Sequence, residues 1–325
     1  MRKQVFGFAL CAVLLILCSS AEAQQPKVYR IGVLLPGKAW SMIIDGLRVG
    51  LAELGLQEGK HFVLDIRDTK GDLKVAEEAA RNLEKEKINL LYTTRTSVTV
   101  AAKRATTNIP IVFSAGTNPV VLGLVDSFAH PGGRLTGVYD PSTDLVAKRL
   151  QILQEIVPKL RRVLAFYDPS NPVASESAKL LRAEIHRVGG IELVERLFGS
   201  VEDLQAKVRA IKPGEADAFF QLSDSMVSSQ SQLISDTARV NKLPTMFIDA
   251  KAVIKGGLAT YAVDYQEVGR RAATYVERVL SGVKPKDLPV EGVDKIDLVI
   301  NLRTANQIGL TIPPNVLVRA AKVIR

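Results

Sequence analysis

The sequence contains few cysteine, histidine and aromatic side chains. Its two cysteines, Cys11 and Cys18, both lie within the first 23 of its 325 residues. The rest of the chain therefore has no thiol to form a disulfide, attack a substrate or bind a metal. The three histidines, His61, His130 and His186, are far apart and lack the H-x-H and H-x-x-x-H spacings of zinc sites. We expect no metal centre and no cofactor.

Three motifs of common enzymes are also missing. The chain lacks G-x-x-x-x-G-K-S/T, the loop that holds nucleotide phosphates, so it is not a P-loop ATPase. The region around Gly32 lacks the G-x-G-x-x-G of dinucleotide-binding enzymes. No G-x-S-x-G is present to place a nucleophilic serine. We therefore predict that the protein is not an enzyme, with an exported α/β enzyme as the minor alternative.

Positive charge is in excess, but it is dispersed along the chain. Lysine and arginine number 43 against 34 acidic residues, and the formal net charge is +9. The densest short basic patch, residues 159–162, lies at a predicted junction between a helix and a strand. Aromatic residues make up only 6% and do not interleave with the basic ones. This pattern is typical of a solvated surface and excludes a nucleic-acid partner.

The N-terminal residues have the pattern of a secretory signal peptide. Arg2 and Lys3 precede an apolar run over residues 5–17, and Ala21-Glu22-Ala23 forms a small-residue cleavage site. We predict cleavage after Ala23 and export to the periplasm. The mature chain of 302 residues is long enough for two domains.

Two alternatives remain for this segment. An uncleaved anchor would need an apolar run of about 20 residues, and this run is shorter. Cys18 offers a site for lipid attachment, although Leu17 stands where a lipobox has a small residue. No second long apolar run follows, so we expect a mature chain that is soluble, does not span a membrane and is a monomer.

Beyond residue 27, β-branched apolar runs alternate with helical patterns, and the order is repeated in the second half. Predicted strands occupy residues 29–35, 61–67, 88–93, 110–114, 162–167, 191–197, 217–222 and 244–248. Predicted helices occupy residues 41–54, 75–86, 98–106, 145–157, 174–188, 201–211 and 226–241. This alternation predicts right-handed βαβ units and parallel sheets. Strands that are apolar along most of their length indicate helices on both faces.

The C-terminal part indicates that the chain crosses between the two units more than once. It adds predicted strands at 258–262 and 296–300 and helices at 265–280 and 303–308. The predicted fold class is α/β, with two doubly wound parallel-sheet lobes joined by hinge strands. We assign residues 28–138 and 264–285 to the N-terminal lobe, and residues 139–263 and 286–325 to the C-terminal lobe.

Four segments carry a resemblance to a known family. They read GLRVGLAELGLQEGK at 46–60, IPIVF at 109–113, PVVLGLV and HPGG at 119–125 and 130–133, and DLVINLRTA and GLTIPP at 297–305 and 309–314. Together they resemble the tryptophan/tyrosine-type substrate-binding proteins of ABC transporters, which have the type I periplasmic-binding fold. The resemblance implies a protein that captures a small molecule, such as an amino acid or an aromatic or organic acid, and delivers it to a membrane permease. A periplasmic sensing module that serves a receptor is the alternative.

Ligands of open parallel sheets bind outside the carboxyl ends of the strands, and this rule selects the candidate loops. Arg95 lies in one of them, where the family often has a Gly-Thr-Pro-like turn. Its guanidinium can clamp a ligand carboxylate or point into solvent. Thr96 or Ser97 can bind the ligand or merely cap the following helix. Trp40 can stack on a flat ligand or pack at the base of a helix.

In the other loops, a small Gly-containing turn can approach a ligand closely, and polar residues follow the strands of the second lobe. Asp224 and Asp249 suit a ligand ammonium or hydroxyl, but aspartate is also a preferred helix cap. The predicted ligand-binding residues are Trp40, Thr94, Arg95, Thr96, Ser97, Gly116, Thr117, Asn118, Asp168, Asn171, Ser223, Asp224 and Asp249.

Overall fold

The structure of the protein, a computed structural model, describes residues 28–325. The predicted signal peptide, residues 1–23, lies outside the described residues. Two largely parallel sheets, each covered by helices on both faces, make up the described chain. Within residues 28–325, no helix is long and apolar enough to cross a lipid bilayer.

The first lobe is built mainly from the N-terminal third of the chain. Its elements are β1 (Tyr29–Leu35), α1 (Ser41–Glu53), β2 (Phe62–Asp68), α2 (Leu73–Lys85), β3 (Leu90–Thr94), α3 (Thr96–Ala105), β4 (Ile111–Ala115) and β5 (Leu135–Tyr139). A short 3-10 turn, Lys38–Trp40, precedes α1. The five strands pair in parallel in the order β2-β1-β3-β4-β5. The carboxyl ends of these strands therefore open on one edge of the lobe.

The second lobe repeats this strand-and-helix order. Its elements are α4 (Val146–Ile156), β6 (Arg162–Tyr167), α5 (Pro172–Val188), β7 (Glu192–Leu197), α6 (Val201–Arg209), β8 (Ala218–Phe220), α7 (Ser225–Ser229), α8 (Ser231–Val240), β9 (Thr245–Phe247), α9 (Ala250–Ile254) and β10 (Ala259–Val263). Strands β7, β6, β8, β9 and β10 pair in parallel in that order.

The chain then returns to the first lobe and crosses back. It forms α10 (Tyr265–Leu280), β11 (Glu291–Gly292), β12 (Ile296–Asn301), α11 (Leu302–Ile308), α12 (Pro314–Leu317) and β13 (Lys322–Ile324). Strand β11 pairs with β5 in the first sheet, and β12 runs antiparallel to β10 in the second. Three segments thus connect the lobes, and the predicted fold class is confirmed.

One boundary differs from the domain assignment made from the sequence. Residues 286–325 were assigned as a block to the C-terminal lobe, yet Glu291–Gly292 extends the first sheet. The strand has two residues, and both are exposed. A strand this short shows no apolar pattern in the sequence, because both of its residues are exposed.

Helix α10 belongs to the first lobe because of a close contact with α1. Val268, Ala272 and Val276 recur every four residues along α10 and are fully buried. This spacing forms one apolar face, and each fully buried valine contributes about 1.5–3 kcal/mol. A Cβ atom on Gly46 of α1 would lie 1.9 Å from the Gln266 carbonyl oxygen of α10. The two helix backbones can approach this closely only because position 46 has no side chain.

A single predicted helix over residues 226–241 is wrong, since the structure divides it into α7 and α8 at Gln230. The Ser228 hydroxyl donates to the Asp224 carbonyl, and the Ser229 hydroxyl donates to the Met226 carbonyl. Serine hydroxyls that bond to the preceding turn compete with the helix ladder. Two consecutive serines just before the break, Ser228 and Ser229, explain why the periodic pattern does not continue as one helix.

Candidate ligand-binding cleft

The two lobes face each other across the carboxyl ends of their strands, and their loops are in contact. The hydroxyl groups of Ser97 in α3 and Ser225 in α7 share a hydrogen bond. A Cβ atom on Gly71, in the loop after β2, would lie 2.6 Å from the Met226 backbone. Contacts this close, between residues more than 120 positions apart, define a closed arrangement of the lobes.

Arg95 lies at the centre of the cleft, between β3 and α3. Its φ of 75° is in the left-handed region, which is unusual for a residue with a side chain. The guanidinium carbon lies 4.4 Å from the ring centroid of Trp40 and 5.1 Å from that of Tyr265. Only 5% of the residue is exposed. The side chain therefore points inward onto an aromatic platform formed by Trp40 and Tyr265, whose rings meet edge to face at 4.9 Å.

An ion pair holds the Arg95 guanidinium in this place. Its Nη1 atom donates to the two carboxylate oxygens of Asp140 at 3.2 and 3.4 Å and to the Ser142 hydroxyl at 3.3 Å. Burial opposes the charge, but Tyr265 and Asp140 outweigh it and raise the pKa of Arg95 above its ordinary value. A Cβ atom on Gly116 would lie 2.6 Å from both Arg95 Nη2 and the Ser142 hydroxyl oxygen. The guanidinium is thus a charged and confined part of the cleft.

A second buried arginine comes from the other lobe. Arg149 of α4 is 1% exposed, and its Nη atoms donate to the Gln221 carbonyl at 3.4 Å and the Ser142 carbonyl at 3.2 Å. Its Nε atom is buried without a hydrogen-bond partner, and no carboxylate in residues 28–325 forms an ion pair with it. Burial lowers the pKa of Arg149 to about 10, and the nearby charge of Arg95 acts in the same direction.

Hydroxyl groups connect the remaining loops. The Thr96 hydroxyl accepts from the backbone N–H groups of Gly116 and Thr117 at 2.7 and 3.0 Å. The Thr117 hydroxyl bonds to that of Thr143 at 2.7 Å, and Thr143 bonds to Ser223 at 3.1 Å. The polar network therefore continues from the first lobe through the crossing segment to the second lobe.

The aspartates that follow the second-lobe strands all bond to helix or loop N–H groups. Asp224 accepts from Met226 and Val227 through one oxygen, and its other oxygen accepts from the backbone of Asp168. Burial raises the pKa of Asp224 to about 6. Asp249 caps α9 through Oδ1, while its buried Oδ2 has no partner. That free oxygen can accept a hydrogen bond from a ligand.

The structure brings most of the predicted residues to the cleft, but it turns some of them away. The Thr94 hydroxyl donates to the Leu34 carbonyl within the sheet. The Asn118 side chain accepts from Val120 and closes its own turn. Asn171 caps α5. Asp168 accepts from Ser170. These four side chains hold their loops in shape, and their contact with a ligand stays a prediction, as it does for the other residues of the predicted set.

The helix-cap interpretation of Thr96 and Ser97 is wrong. Helix α3 starts directly at Thr96, and its N-cap is Arg95, whose side chain forms no capping bond. Thr96 instead supports the loop after β4, and Ser97 meets the second lobe. The first N–H groups of α3 thus lack a side-chain cap and lie beside a small cavity between the lobes.

A very small cavity of about 10 Å³ remains beside Arg95. Polar groups from both lobes line most of it, namely Arg95, Thr96, Ser97, Ser223, Asp224 and Ser225. Pockets for drug-sized ligands usually measure about 300–1,000 Å³. The closed cleft therefore has room for about one water molecule, and the lobes must separate to admit a ligand.

Sequence reasoning missed five residues of the site: Asp140, Ser142, Thr143, Arg149 and Tyr265. The first three follow β5, and the rule that selects strand ends would have found them had residues 135–139 been predicted as a strand of the sheet. Tyr265 begins α10, and Arg149 lies within a helix. A helical pattern does not show which of its polar residues faces the interior, so these two residues could not be predicted from the sequence.

The fold and the site define a two-lobed binding protein with a polar, arginine-containing cleft between parallel-sheet lobes. The model of the family described as ABC transporter substrate binding protein matches residues 29–324. The chain belongs to this family, and the resemblance found in the sequence is confirmed.

Relatives with solved structures have the same architecture. A conserved domain protein from Vibrio cholerae is 30% identical and covers 91% of this chain and 100% of its own, with a TM-score of 0.83. An ABC domain from Streptococcus pneumoniae in complex with L-Trp is 25% identical, with 92% and 100% coverage and a TM-score of 0.80. A tyrosine-binding protein from Clostridioides difficile is 26% identical over 89% of this chain and 83% of that protein.

Proposed function

We propose that this protein is the exported substrate-binding component of an ABC transporter. It captures an amino acid or an aromatic or organic acid between its lobes and delivers it to a membrane permease. The observation that carries the proposal is the buried array of Arg95, Asp140, Trp40 and Tyr265 in the interlobe cleft. Relatives that bind L-Trp and tyrosine support the ligand class. The pattern of residues 1–23 supports export.

The cleft has the donors and acceptors that an amino acid requires. A carboxylate can accept from Arg95 and from the uncapped N–H groups at the start of α3, because guanidinium and helix dipole both favour an anion. An ammonium group can donate to the free Oδ2 atom of Asp249. These are groups that bind a ligand and do not transform it, so the proposed role is capture without catalysis.

Closure of the lobes over the ligand is the proposed working motion. The lobes meet through direct contacts, such as Ser97 with Ser225, and three segments connect them. Lobes joined in this way move relative to one another by default. A ligand that bonds to both lobes stabilises the closed arrangement, and the closed form is then the one presented to a permease.

A ligand screen of the exported protein tests the proposal. We expect thermal stabilisation by at least one amino acid or organic acid, since a ligand at 100 times its Kd adds about 2.7 kcal/mol. The same ligand should reduce the radius of gyration measured by small-angle scattering. If no compound of these classes raises Tm or changes the radius, the proposed ligand class is wrong.

Capture of membrane partners then separates transport from sensing. The ligand-loaded protein should retain a multispanning permease from detergent-solubilised membranes of its own organism. Retention of a receptor instead would favour the sensing alternative. Mass spectrometry of the exported protein should find Gln24 at the N-terminus, whereas a lipid-modified Cys18 would contradict cleavage after Ala23.

A further inference from the structure

The aromatic platform of the cleft is covered by a side chain of the protein itself. A flat ligand ring would stack on Trp40 or Tyr265, the two rings that meet edge to face in the cleft. The Arg95 guanidinium lies over both of them, at 4.4 and 5.1 Å. An aromatic ligand therefore meets a cation where it would need a free ring surface.

Moving Arg95 away from the platform breaks several contacts at once. The ion pair with Asp140 is buried, and Asp140 has no exposed surface. Removal of the guanidinium would leave that carboxylate buried without its partner, which is strongly unfavourable. Gly116 lies so close to the guanidinium that a Cβ atom at this position would be 2.6 Å from Arg95 Nη2. The contacts thus favour a ligand that binds to Arg95 in place over one that displaces it.

The space beside Arg95 is small and polar. The cavity of about 10 Å³ is lined largely by hydroxyl groups, with Asp224 as its one carboxylate and no aromatic side chain. The uncapped start of the ten-residue helix α3 borders it. A small acid that enters when the lobes separate can accept hydrogen bonds from Arg95 and from the first N–H groups of α3.

We propose that Arg95 sets the ligand class, so that the protein binds a small aliphatic acid, either an acidic amino acid or a dicarboxylate, and excludes aromatic amino acids. The inference rests on the proposed function, since it assumes that the cleft captures a ligand of this general kind. It names the substrate class within that function. On this inference the chain differs in ligand class from relatives that bind L-Trp or tyrosine.

Calorimetric titration tests this with two sets of probes: L-glutamate, L-aspartate and succinate, and L-tryptophan and L-tyrosine. The wild-type protein should prefer at least one acid over both aromatic amino acids by 100-fold or more. Arg95→Ala should weaken the acid by about 10- to 100-fold, the range for a hydrogen bond between charged groups. The same variant should bind L-tryptophan or L-tyrosine at least 10-fold more tightly than the wild type.

Two further variants keep the test decisive if Arg95→Ala folds poorly. Arg95→Lys keeps the charge but loses the planar fork, so acid binding should recover only in part. Gly116→Ala keeps the arginine but forces its guanidinium to shift, and it should weaken the acid as well. Arg187→Ala is the matched control, because that arginine is 71% exposed on α5 and should leave both affinities unchanged.

The outcomes distinguish this inference from the proposed function. Wild-type protein that binds L-tryptophan or L-tyrosine as tightly as any acid would overturn the inference and leave the proposed function intact. Aromatic binding by Arg95→Ala, with no acid bound by the wild type, would overturn it as well. Absence of binding by every probe to both proteins would overturn the inference too, whereas only a ligand screen without any hit would contradict the proposed function.

Discussion

Gly71 lies in the loop between β2 and α2, where the first lobe meets the start of α7 in the second. Its φ is +84°, and an added Cβ atom would lie 2.6 Å from the Met226 N and Cα atoms and 2.7 Å from the Ser225 carbonyl carbon. These neighbours are backbone atoms, so no side-chain rotation can relieve the overlap. The substitution Gly71→Ala should therefore act against the closed arrangement.

The expected magnitude has two parts. The left-handed backbone costs about 1–2 kcal/mol for alanine, and this penalty applies whether the lobes are open or closed. The overlap applies only to the closed form, where carbon atoms would lie about 1 Å inside their favourable separation of about 3.5–4.0 Å. Overpacking of this kind typically costs about 1–3 kcal/mol. Ligand affinity should fall by about 10- to 100-fold, since each 1.4 kcal/mol is about a factor of ten.

Gly59→Ala provides the matched control. Gly59 has a φ of +85°, and an added Cβ atom would meet nothing within 4 Å. Both variants should lose similar stability in the absence of ligand, but only Gly71→Ala should bind ligand more weakly in calorimetric titration. Equal ligand affinities for the two variants would refute the reasoning and show that closure does not bring Gly71 against α7.

Three further predictions concern other contacts of the fold. Lys251→Ala should weaken ligand binding by about 3- to 10-fold in titration, because its ammonium joins the lobes by bonds to the Lys38 carbonyl and the Ser41 hydroxyl; an unchanged Kd would contradict this role. Gly46→Ala should lower the free energy of urea unfolding by about 1–3 kcal/mol, because the new methyl group overlaps the backbone of α10. An unchanged unfolding midpoint would show that the two helices can move apart without loss of stability. Burial raises the pKa of Asp224 to about 6, so its contribution to stability is present at pH below the ordinary value near 4 and is lost as pH rises through 6. The stability of Asp224→Asn relative to the wild type, measured by urea unfolding, should therefore be higher at pH 7 than at pH 4. A stability difference that does not change with pH would argue against the raised pKa.

The alternation of strands and helices and the signal pattern of residues 1–23 are local features, readable from the chain alone. The alternation predicted the two parallel-sheet lobes, because buried apolar residues recur with a different period in helices than in strands. The rule that ligands bind at strand ends then selected the loops that contain Trp40 and Arg95. The four family-like segments led to the substrate-binding family that the comparison confirms.

Only the tertiary structure decided which groups meet in the cleft. Arg95 pairs with Asp140, 45 residues away, and Ser97 bonds to Ser225, 128 residues away, and sequence spacing does not specify such pairs. Arg149 turns inward from a helix whose pattern does not distinguish it. The direction of the Arg95 side chain depends on a left-handed φ and on two aromatic rings supplied by separate segments. Local patterns arise from neighbours along the chain, whereas the chemistry of this cleft arises from residues that only folding brings together.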